Sequence, residues 1–460
     1  MSSEIISKEN KITEGPIVRG MLGFFWTLLL GAFFQQFYNT VDAIIVGKAV
    51  GSDGLAAVGG SAAMVVNLFV GFFMGLSSGA TVVIAQFYGA GRGEAVKKAV
   101  HTAVAMAIAG GVFITVVGLL ISSWIIRVMN TPVEVVEAST AYLRIFFLGM
   151  VANLVYNIGA GILRAVGDSK RPLIVLIISC FVNIFLDVFF VIILGLGKLG
   201  ITQGVIGVAV ATVMCQIISA AIIVSMLVRS TDSYKLYLRE IGFDKEMLLR
   251  IVKIGFPAGI QTTMYTLSNM LIQASINEFG KDATAAWAAY GKIDVLFWMT
   301  MSSLGTAVTT FAGQNFGAGK YDRVRSSTRY GFLIAIVITG PLSILLYLWG
   351  KGFLYIFVDD AQVINIGVQM IRFLAPFYCT YIGVEVFSGV LRGMGSALIP
   401  MLITLSGICV LRVSWILLFF PTHKSIETVE TSYPITWITT SLLFLVYYLI
   451  YVRRHHIGKK

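Results

Sequence analysis

Two aspartates stand in stretches of sequence that are otherwise apolar. Asp42 lies in QQFYNTVDAIIVG and Asp187 lies in FVNIFLDVFF, each a few residues from the outer end of a predicted membrane span. At a rise of about 1.5 Å per residue their depths differ by only about 5 Å, so one site can hold both carboxyls. Ionisable groups inside membrane spans are costly to bury and usually functional, which makes this pair the leading candidate for chemistry.

Polar side chains from the same half of the chain are expected near this pair. Asn183 precedes Asp187 by four residues and shares its helix face, while Asn157 and Thr212 come from other spans. Carboxylate, amide and hydroxyl oxygens suit a hard cation or a proton relay. The sequence therefore predicts a coupling site for a cation or proton at these five residues, with Na⁺ as the metal ion that Asp42, Asn183, Asp187 and Thr212 can hold. The alternative is that the carboxyls are neutral, hydrogen-bonded structural groups.

The second half carries a different set of ionisable groups. Lys292 and Asp294 lie in AAYGKIDVLFW, and Glu385 and Arg412 lie in later spans. Lys292 and Asp294 are two positions apart and point to different helix faces, so we expect them to have different partners. Asp294 is predicted either to bind substrate or a proton or to join a buried ion pair, and the roles of Glu385 and Arg412 stay open. The candidate lining of a substrate cavity comprises Gln35, Tyr38, Tyr265, Lys292, Asp294, Trp298 and Glu385.

The composition determines what positions these side chains. Apolar residues make up 57% of the 460-residue chain and charged residues 12%, against about 25% charged in a soluble domain. The chain is therefore predicted to be an integral membrane protein, and at about 20 apolar residues per helix it offers about twelve spans. They are predicted at 20–47, 56–88, 100–124, 138–163, 173–195, 205–228, 254–279, 284–315, 331–350, 366–391, 397–420 and 434–452.

The net charge of +11 is interpreted from the positions of Lys and Arg along the chain. Most of them lie in the N-terminus, the even-numbered loops and the C-terminus, which predicts that both termini face the cytoplasm. The basic excess then serves topology and contact with anionic lipid, and no nucleic-acid-binding module is expected. The N-terminal residues lack a cleavage pattern, so we expect no cleaved signal peptide.

An internal repeat divides the chain into two halves. GILRAVGDSKRP at 161–172 returns 228 positions later as GVLRGMGSALIP, and the same offset pairs AQFYGAGR with GQNFGAGK. Six spans per half predict parallel repeats, related by a pseudo-twofold axis along the membrane normal. The expected organisation is an all-α membrane protein of 12 helices in two six-helix lobes. Its parts are a cytoplasmic segment 1–19, an N-terminal lobe 20–228, a cytoplasmic linker 229–253, a C-terminal lobe 254–452 and a cytoplasmic tail 453–460.

The motifs together resemble the multidrug and toxic compound extrusion (MATE) transporter family over essentially the whole chain. They are VDAIIVG, AQFYGAG, GILRAVGDSKRP, NIFLD, GVIGVAVATV, IGFPAGI, GQNFGAG and GVLRGMG, in this order. The KID triplet 292–294 and the acidic residue of VD at Asp42 look like the DinF-like branch. The glutamate that the NorM-like branch carries in the seventh span is absent, its place falling near Tyr265.

The resemblance implies secondary active efflux of small organic compounds, often cationic, in exchange for H⁺ or Na⁺ and without a cofactor. In members with a cation site in the N-terminal lobe, the matching positions are Asp42, Asn183, Asp187 and Thr212. We expect a monomer in the cell membrane whose two lobes rock around a central cavity. Ion binding is expected to favour one state and substrate binding the other.

Two alternative functions, a flippase and an intramembrane enzyme, fit the sequence less well. A flippase for lipid-linked precursors shares the repeat and helix count, but it needs a strongly basic cavity, and the bases within spans are only Arg144, Lys292, Arg372 and Arg412. An intramembrane enzyme needs a nucleophile–base pair or a metal cluster. The four histidines fall at span ends or in loops, so transport is the favoured function.

Overall fold

The computed structural model describes residues 11–454, and within them the secondary structure is helical throughout. Residues 1–10 and 455–460, the outer parts of the two predicted terminal segments, lie outside the described residues. The helices of the first half are α1 Lys11–Glu14, α2 Ile17–Ala49, α3 Ser52–Gly59, α4 Ser61–Gly89, α5 Gly93–Val128, α6 Val133–Leu148, α7 Met150–Ala165, α8 Lys170–Asp187 and α9 Ile201–Val228. Those of the second half are α10 Lys245–Asn277, α11 Lys281–Gly317, α12 Tyr321–Leu354, α13 Ala361–Leu374, α14 Tyr378–Gly393, α15 Leu398–Thr404, α16 Leu411–Phe419 and α17 Ile426–Arg454.

The number of helices able to cross a membrane is close to the predicted twelve. Among the described residues, ten helices or continuous helix pairs are long and apolar enough, and α6 with α7 forms an eleventh span bent by 51°. The twelfth predicted span, 254–279, lies in α10, which is 33 residues long but is interrupted by polar residues such as Gln261, Thr262 and Asn269. The predicted all-α membrane architecture is therefore confirmed.

Two π-helical turns interrupt spans next to ionisable residues. The turn Val188–Ile193 follows Asp187 directly, and the turn Leu405–Val410 precedes α16, which carries Arg412 as its second residue. A π turn shifts the register of the side chains after it and is frequent at functional sites. The two turns do not coincide in the repeat, so each half has its own local geometry there.

The helices form two compact units. One contains residues 30–255 and the other contains, of the described residues, 11–29 and 256–454. The division falls inside two long helices, because α2 and α10 each contribute their first part to one unit and the rest to the other. The carboxyl pair of the first half and the ionisable residues of the second half thus belong to different units.

In the second unit, the N-terminal segment is held at the junction of α11 and α12. Arg323 donates to the carbonyl oxygens of Ile12 at 2.9 Å and Gly15 at 2.6 Å. Lys320 Nζ donates to the carbonyl oxygen of Thr13 at 3.1 Å. Ile12 and Thr13 are both buried, so the start of the described chain is bound firmly to this unit.

In the first unit, the segment between the halves is held at the corresponding place. Helix α5 begins at Gly93, 228 residues before the start of α12 at Tyr321. Lys97 of α5 pairs with Glu240 at 2.6 Å, and His101 Nε2 accepts from the backbone N–H of Tyr237 at 3.0 Å. The segment that precedes each half of the repeat is therefore bound by the third long helix of the other half.

Candidate cation and substrate sites

The first half of the chain brings Asp42 and Asn183 into direct contact. Asp42 lies in the second part of α2 and Asn183 in α8, and both belong to the first unit. With the amide oriented so that its nitrogen faces the carboxyl, Asn183 Nδ2 donates to Asp42 Oδ1 at 2.9 Å and to Oδ2 at 3.3 Å. Asn183 is 1% exposed, so this hydrogen bond is formed away from solvent.

Asp187 completes a pair of carboxyls. Its side chain is fully buried and lies close enough to the Asp42 carboxyl for the two groups to interact electrostatically. Neither Asp187 oxygen has a donor among the described residues. Two neighbouring carboxylates that are largely removed from water repel each other, so a proton or a cation between them relieves the repulsion. The donor set of carboxyl oxygens with one amide fits either a proton or a monovalent hard cation.

Two other predicted members of this site have different surroundings. Thr212 is half-buried in α9, and its hydroxyl donates to the Val208 carbonyl oxygen of its own helix at 3.0 Å. Asn157 donates to the Asn153 carbonyl oxygen at 2.9 Å within α7. No hydrogen bond joins either residue to the aspartates among residues 11–454. The structure therefore brings together Asp42, Asn183 and Asp187 directly.

Tyrosines lie close to the carboxyl pair. The Tyr38 hydroxyl hydrogen-bonds to Gln35 one turn earlier in α2, and it lies close enough to Asp42 for the two groups to interact electrostatically. Tyr142 of α6 is near enough to both aspartates for the same effect. The sequence reasoning missed Tyr142, because a tyrosine in an apolar span carries no signal of its own. Tyr142 is recognised only in the structure, where its hydroxyl lies in the same unit as the two carboxyls.

In the second unit, Asp294 is held by aromatic donors. Tyr378 Oη donates to Asp294 Oδ1 at 2.6 Å, and Trp298 Nε1 donates to Oδ2 at 2.6 Å. Tyr290 Oη lies 3.1 Å from Tyr378 Oη and extends the network. Lys292 is exposed, so Lys292 and Asp294 point to opposite sides of α11. The carboxylate has neutral hydrogen-bond donors here instead of an ion pair.

Glu385 and Tyr265 share a neighbour, Tyr381. Glu385 hydrogen-bonds to Tyr381 one turn earlier in α14, and Tyr265 Oη lies 3.3 Å from Tyr381 Oη. The Glu385 carboxyl packs against Gly305 of α11. Tyr265 thus joins the acidic residue of the tenth span to α10 within one unit.

Comparisons with known proteins identify the family. The chain matches the MatE family model twice, over residues 28–189 and 257–418. The chain belongs to the MatE family. The two matches also agree with the two halves of the repeat, and they make this MatE protein a multi-pass membrane transporter and not an enzyme.

Individual relatives and structures agree with this assignment. The MatE chain is 30% identical over 444 residues to the probable multidrug resistance protein YoeA of Bacillus subtilis, with 95% of each chain covered. It is 27% identical to the probable multidrug resistance protein NorM of Thermotoga maritima over 73% of this chain and 72% of that protein. Its fold is similar to a MOP superfamily transporter from Pyrococcus furiosus, with a TM-score of 0.89, 23% identity and 99% of both chains covered. An outward-facing multidrug resistance MATE transporter gives the same TM-score at 22% identity, over 97% of this chain and 98% of that one.

Proposed function

We propose that this MatE protein is a secondary active antiporter that exports organic, often cationic, compounds in exchange for H⁺ or Na⁺ by alternating access. The observation that carries the proposal is the proximity of the half-buried Asp42 carboxyl to the fully buried Asp187 carboxyl, with an amide donor from Asn183 to Asp42. The multidrug resistance names of the relatives support organic compounds as substrates. The expected setting is the cell membrane, with both termini in the cytoplasm and the protein acting as a monomer.

The carboxyl pair couples ion binding to a change in the arrangement of the helices. A bound H⁺ or Na⁺ neutralises part of the repulsion between Asp42 and Asp187, so the ion-bound and ion-free forms favour different arrangements of α2 and α8. Thr212 is proposed to contribute its hydroxyl oxygen when Na⁺ is the ion. One charge moving down 100 mV supplies about 2.3 kcal/mol, enough for roughly a 50-fold gradient of a neutral substrate.

The remaining predicted residues are proposed to meet the substrate. In the second unit these are Asp294 with its aromatic donors, Glu385 with Tyr381 and Tyr265, and the exposed Lys292. In the first unit they are Gln35 and Tyr38, two turns and one turn before Asp42 on α2. Aromatic rings beside carboxylates suit organic cations, because the rings attract the cation through their faces while the carboxylate supplies the counter-charge.

The decisive experiment is export of a fluorescent lipophilic cation from proteoliposomes under an imposed pH or sodium gradient. Wild type is compared with Asp42→Asn and Asp187→Asn. Asp53→Asn is the matched control, because Asp53 is an exposed carboxyl in the same unit. Export that depends on one gradient and is lost in both site variants, with the control unchanged, supports antiport and names the ion. Gradient-driven export by both site variants would contradict the proposed coupling site. The absence of export by wild type under either gradient would favour the flippase.

A further inference from the structure

Arg412 is the only Lys or Arg side chain that is classed as buried among those the structure describes, with 2% of its surface exposed. Its Nη2 donates to Thr436 Oγ1 at 3.2 Å, and its Nη1 makes a long hydrogen bond of 3.4 Å to Asn269 Oδ1. The guanidinium lies over the ring of Tyr433, 4.1 Å from its centroid. Among the described residues, its Nε has no hydrogen-bond partner. The hydrogen-bond partners of this five-donor cation are therefore neutral, and at least one of its donors is unused.

Arg412 lacks a counter-charge in this structure. Among residues 11–454 no ion pair joins the guanidinium to a carboxylate. Three carboxyls of the same unit lie near tyrosines that are also affected by the Arg412 charge. Glu430 of α17 is 2% exposed, its Oε1 has no hydrogen-bond partner among the described residues, and like Asp294 it acts electrostatically on Tyr433. Glu385 acts in the same way on Tyr265 and Tyr381. A buried charge without a partner is costly inside a membrane, and such residues usually mark a ligand site.

The repeat places Arg412 at the counterpart of the proposed cation site. The two family matches begin 229 residues apart, at 28 and 257, which carries Asn183 to Arg412, and the 228-residue offset of the motifs carries it to the adjacent Leu411. It carries Asp42 to within two residues of Asn269. Thr436 lies on α17, the last helix of its half, as Thr212 lies on α9. The three helices that bring oxygens to a cation in one half thus bring a guanidinium in the other.

On the α10 side, the guanidinium contacts a residue that is itself exposed. Asn269 is exposed, and its 3.4 Å contact is long enough to be exchanged for a stronger acceptor at small cost. The planar fork of an arginine binds a carboxylate through two parallel hydrogen bonds, and the Tyr433 ring supports the face of the guanidinium. An anion that enters here gives the Arg412 guanidinium an ion-pair partner, which the described residues do not supply.

We propose that Arg412, with Asn269, Tyr433 and Thr436, binds a compact monovalent anion, either the carboxylate of a transported amphiphile or free chloride. The second half then holds a charge-inverted counterpart of the cation site. This inference rests on the proposed export function, since it concerns what is carried or bound during export. A carboxylate source extends the substrates from organic cations to zwitterionic compounds.

The test uses a rhodamine dye with a free carboxyl group beside its methyl ester, which has the same cationic fluorophore. Binding of each dye to the purified full-length protein is measured by thermal stabilisation, in chloride and in methanesulfonate buffer. Export of each dye is measured in proteoliposomes. The variants are Arg412→Gln, Arg412→Lys, Glu430→Gln and the matched control Arg372→Gln, whose arginine is exposed on α13.

For the carboxylate source, we expect Arg412→Gln to weaken binding of the free acid at least tenfold while leaving the ester unchanged. Arg412→Lys should retain part of the affinity, and it serves as the readout if the glutamine variant does not fold. If chloride is the ligand, the wild-type protein should be more stable in chloride than in methanesulfonate buffer, and this difference should disappear in Arg412→Gln. Each variant should then bind and export the two dyes equally. Arg372→Gln should behave as wild type in both cases.

Glu430→Gln separates a ligand site from a structural ion pair. If Arg412 binds a ligand anion, Glu430→Gln removes a nearby negative charge and should leave anion binding unchanged or strengthen it. Loss of anion binding in Glu430→Gln to the same extent as in Arg412→Gln overturns the proposal. So does a wild-type protein that responds to neither the carboxyl group nor chloride. Export of the ester by such a protein would leave the proposed efflux function standing.

Discussion

The Glu385 carboxyl occupies the space in which a side chain at Gly305 would lie. A Cβ built on Gly305 would overlap Glu385 Oε1 and would lie 2.7 Å from Cδ and 3.0 Å from Cγ. Because Cγ as well as the carboxyl is involved, a turn of the carboxyl alone does not relieve the overlap. The position of this acidic side chain is thus set by a glycine 80 residues earlier, on α11.

We expect Gly305→Ala to displace Glu385 and lower the thermal unfolding midpoint. Forcing an extra methyl into a packed site costs about 1–3 kcal/mol. Gly291→Ala is the matched control, since it lies in the same helix and its Cβ would meet nothing within 4 Å. Both changes gain the same helix propensity, so the difference between them reports the Glu385 contact. Equal midpoints and equal export for the two variants would show that Glu385 tolerates the displacement.

The contact between Asn183 and Asp42 makes a prediction about ion affinity. Asn183→Ala removes a hydrogen bond to a carboxylate, worth about 1.5–3 kcal/mol when buried. The ion concentration for half-maximal export should therefore change by roughly tenfold or more, while the maximal rate with saturating ion changes less. The rate of dye export against pH and against sodium concentration measures this.

Asn157→Ala is the informative comparison for that experiment. Asn157 hydrogen-bonds within α7, so its loss should leave the ion dependence of export unchanged. An ion dependence that shifts equally in Asn157→Ala and Asn183→Ala would contradict the arrangement described for the carboxyl pair.

Tyr378 provides a prediction for the second unit. Tyr378→Phe keeps the ring, which stacks on Phe297 with centroids 4.1 Å apart, and removes only the hydroxyl that donates to Asp294. If Asp294 meets substrate, export of a lipophilic cation should change in apparent affinity by several fold, with little loss of stability. Tyr448→Phe, which removes a buried hydroxyl 3.2 Å from Thr328, is the control for the loss of any hydroxyl. A change in stability alone would assign Tyr378 a structural role.

Much of the fold could be predicted from the sequence because membrane spans are long and apolar. Each of the twelve predicted spans coincides with a helix or with a bent or interrupted pair of helices in the structure. The seventh apolar span was predicted to start at 254, whereas the helix that contains it, α10, begins at Lys245. The charged first residues of α10 belong to the first unit and continue the helix without being part of the apolar span. A span boundary is read from hydropathy, and a helix boundary depends on packing as well.

The candidate sites were less predictable. Asn183 could be placed beside Asp187 because four residues fix a helix face, and the depth of Asp42 in its span suggested the rest. Asn157 looked equally suitable, but rotation of α7 about its axis is not encoded in hydropathy, and its amide bonds within its own helix. Glu430 was not considered, because it stands at the edge of a predicted span where a charged residue is expected to meet water.

The N-terminal segment was also out of reach of sequence reasoning, and it makes the last prediction. Arg323 recognises it through the carbonyl oxygens of Ile12 and Gly15, which every residue type supplies, from about 300 residues away in sequence. Arg323→Gln removes these charge-assisted hydrogen bonds and the one to Asn315 Oδ1 at 3.0 Å. Amide exchange of residues 11–19 should accelerate at least tenfold, which corresponds to about 1.4 kcal/mol. Arg329→Gln, an exposed arginine on the same helix, should leave the exchange unchanged. Unchanged exchange in Arg323→Gln would show that Lys320 and the burial of Ile12 suffice to hold the segment.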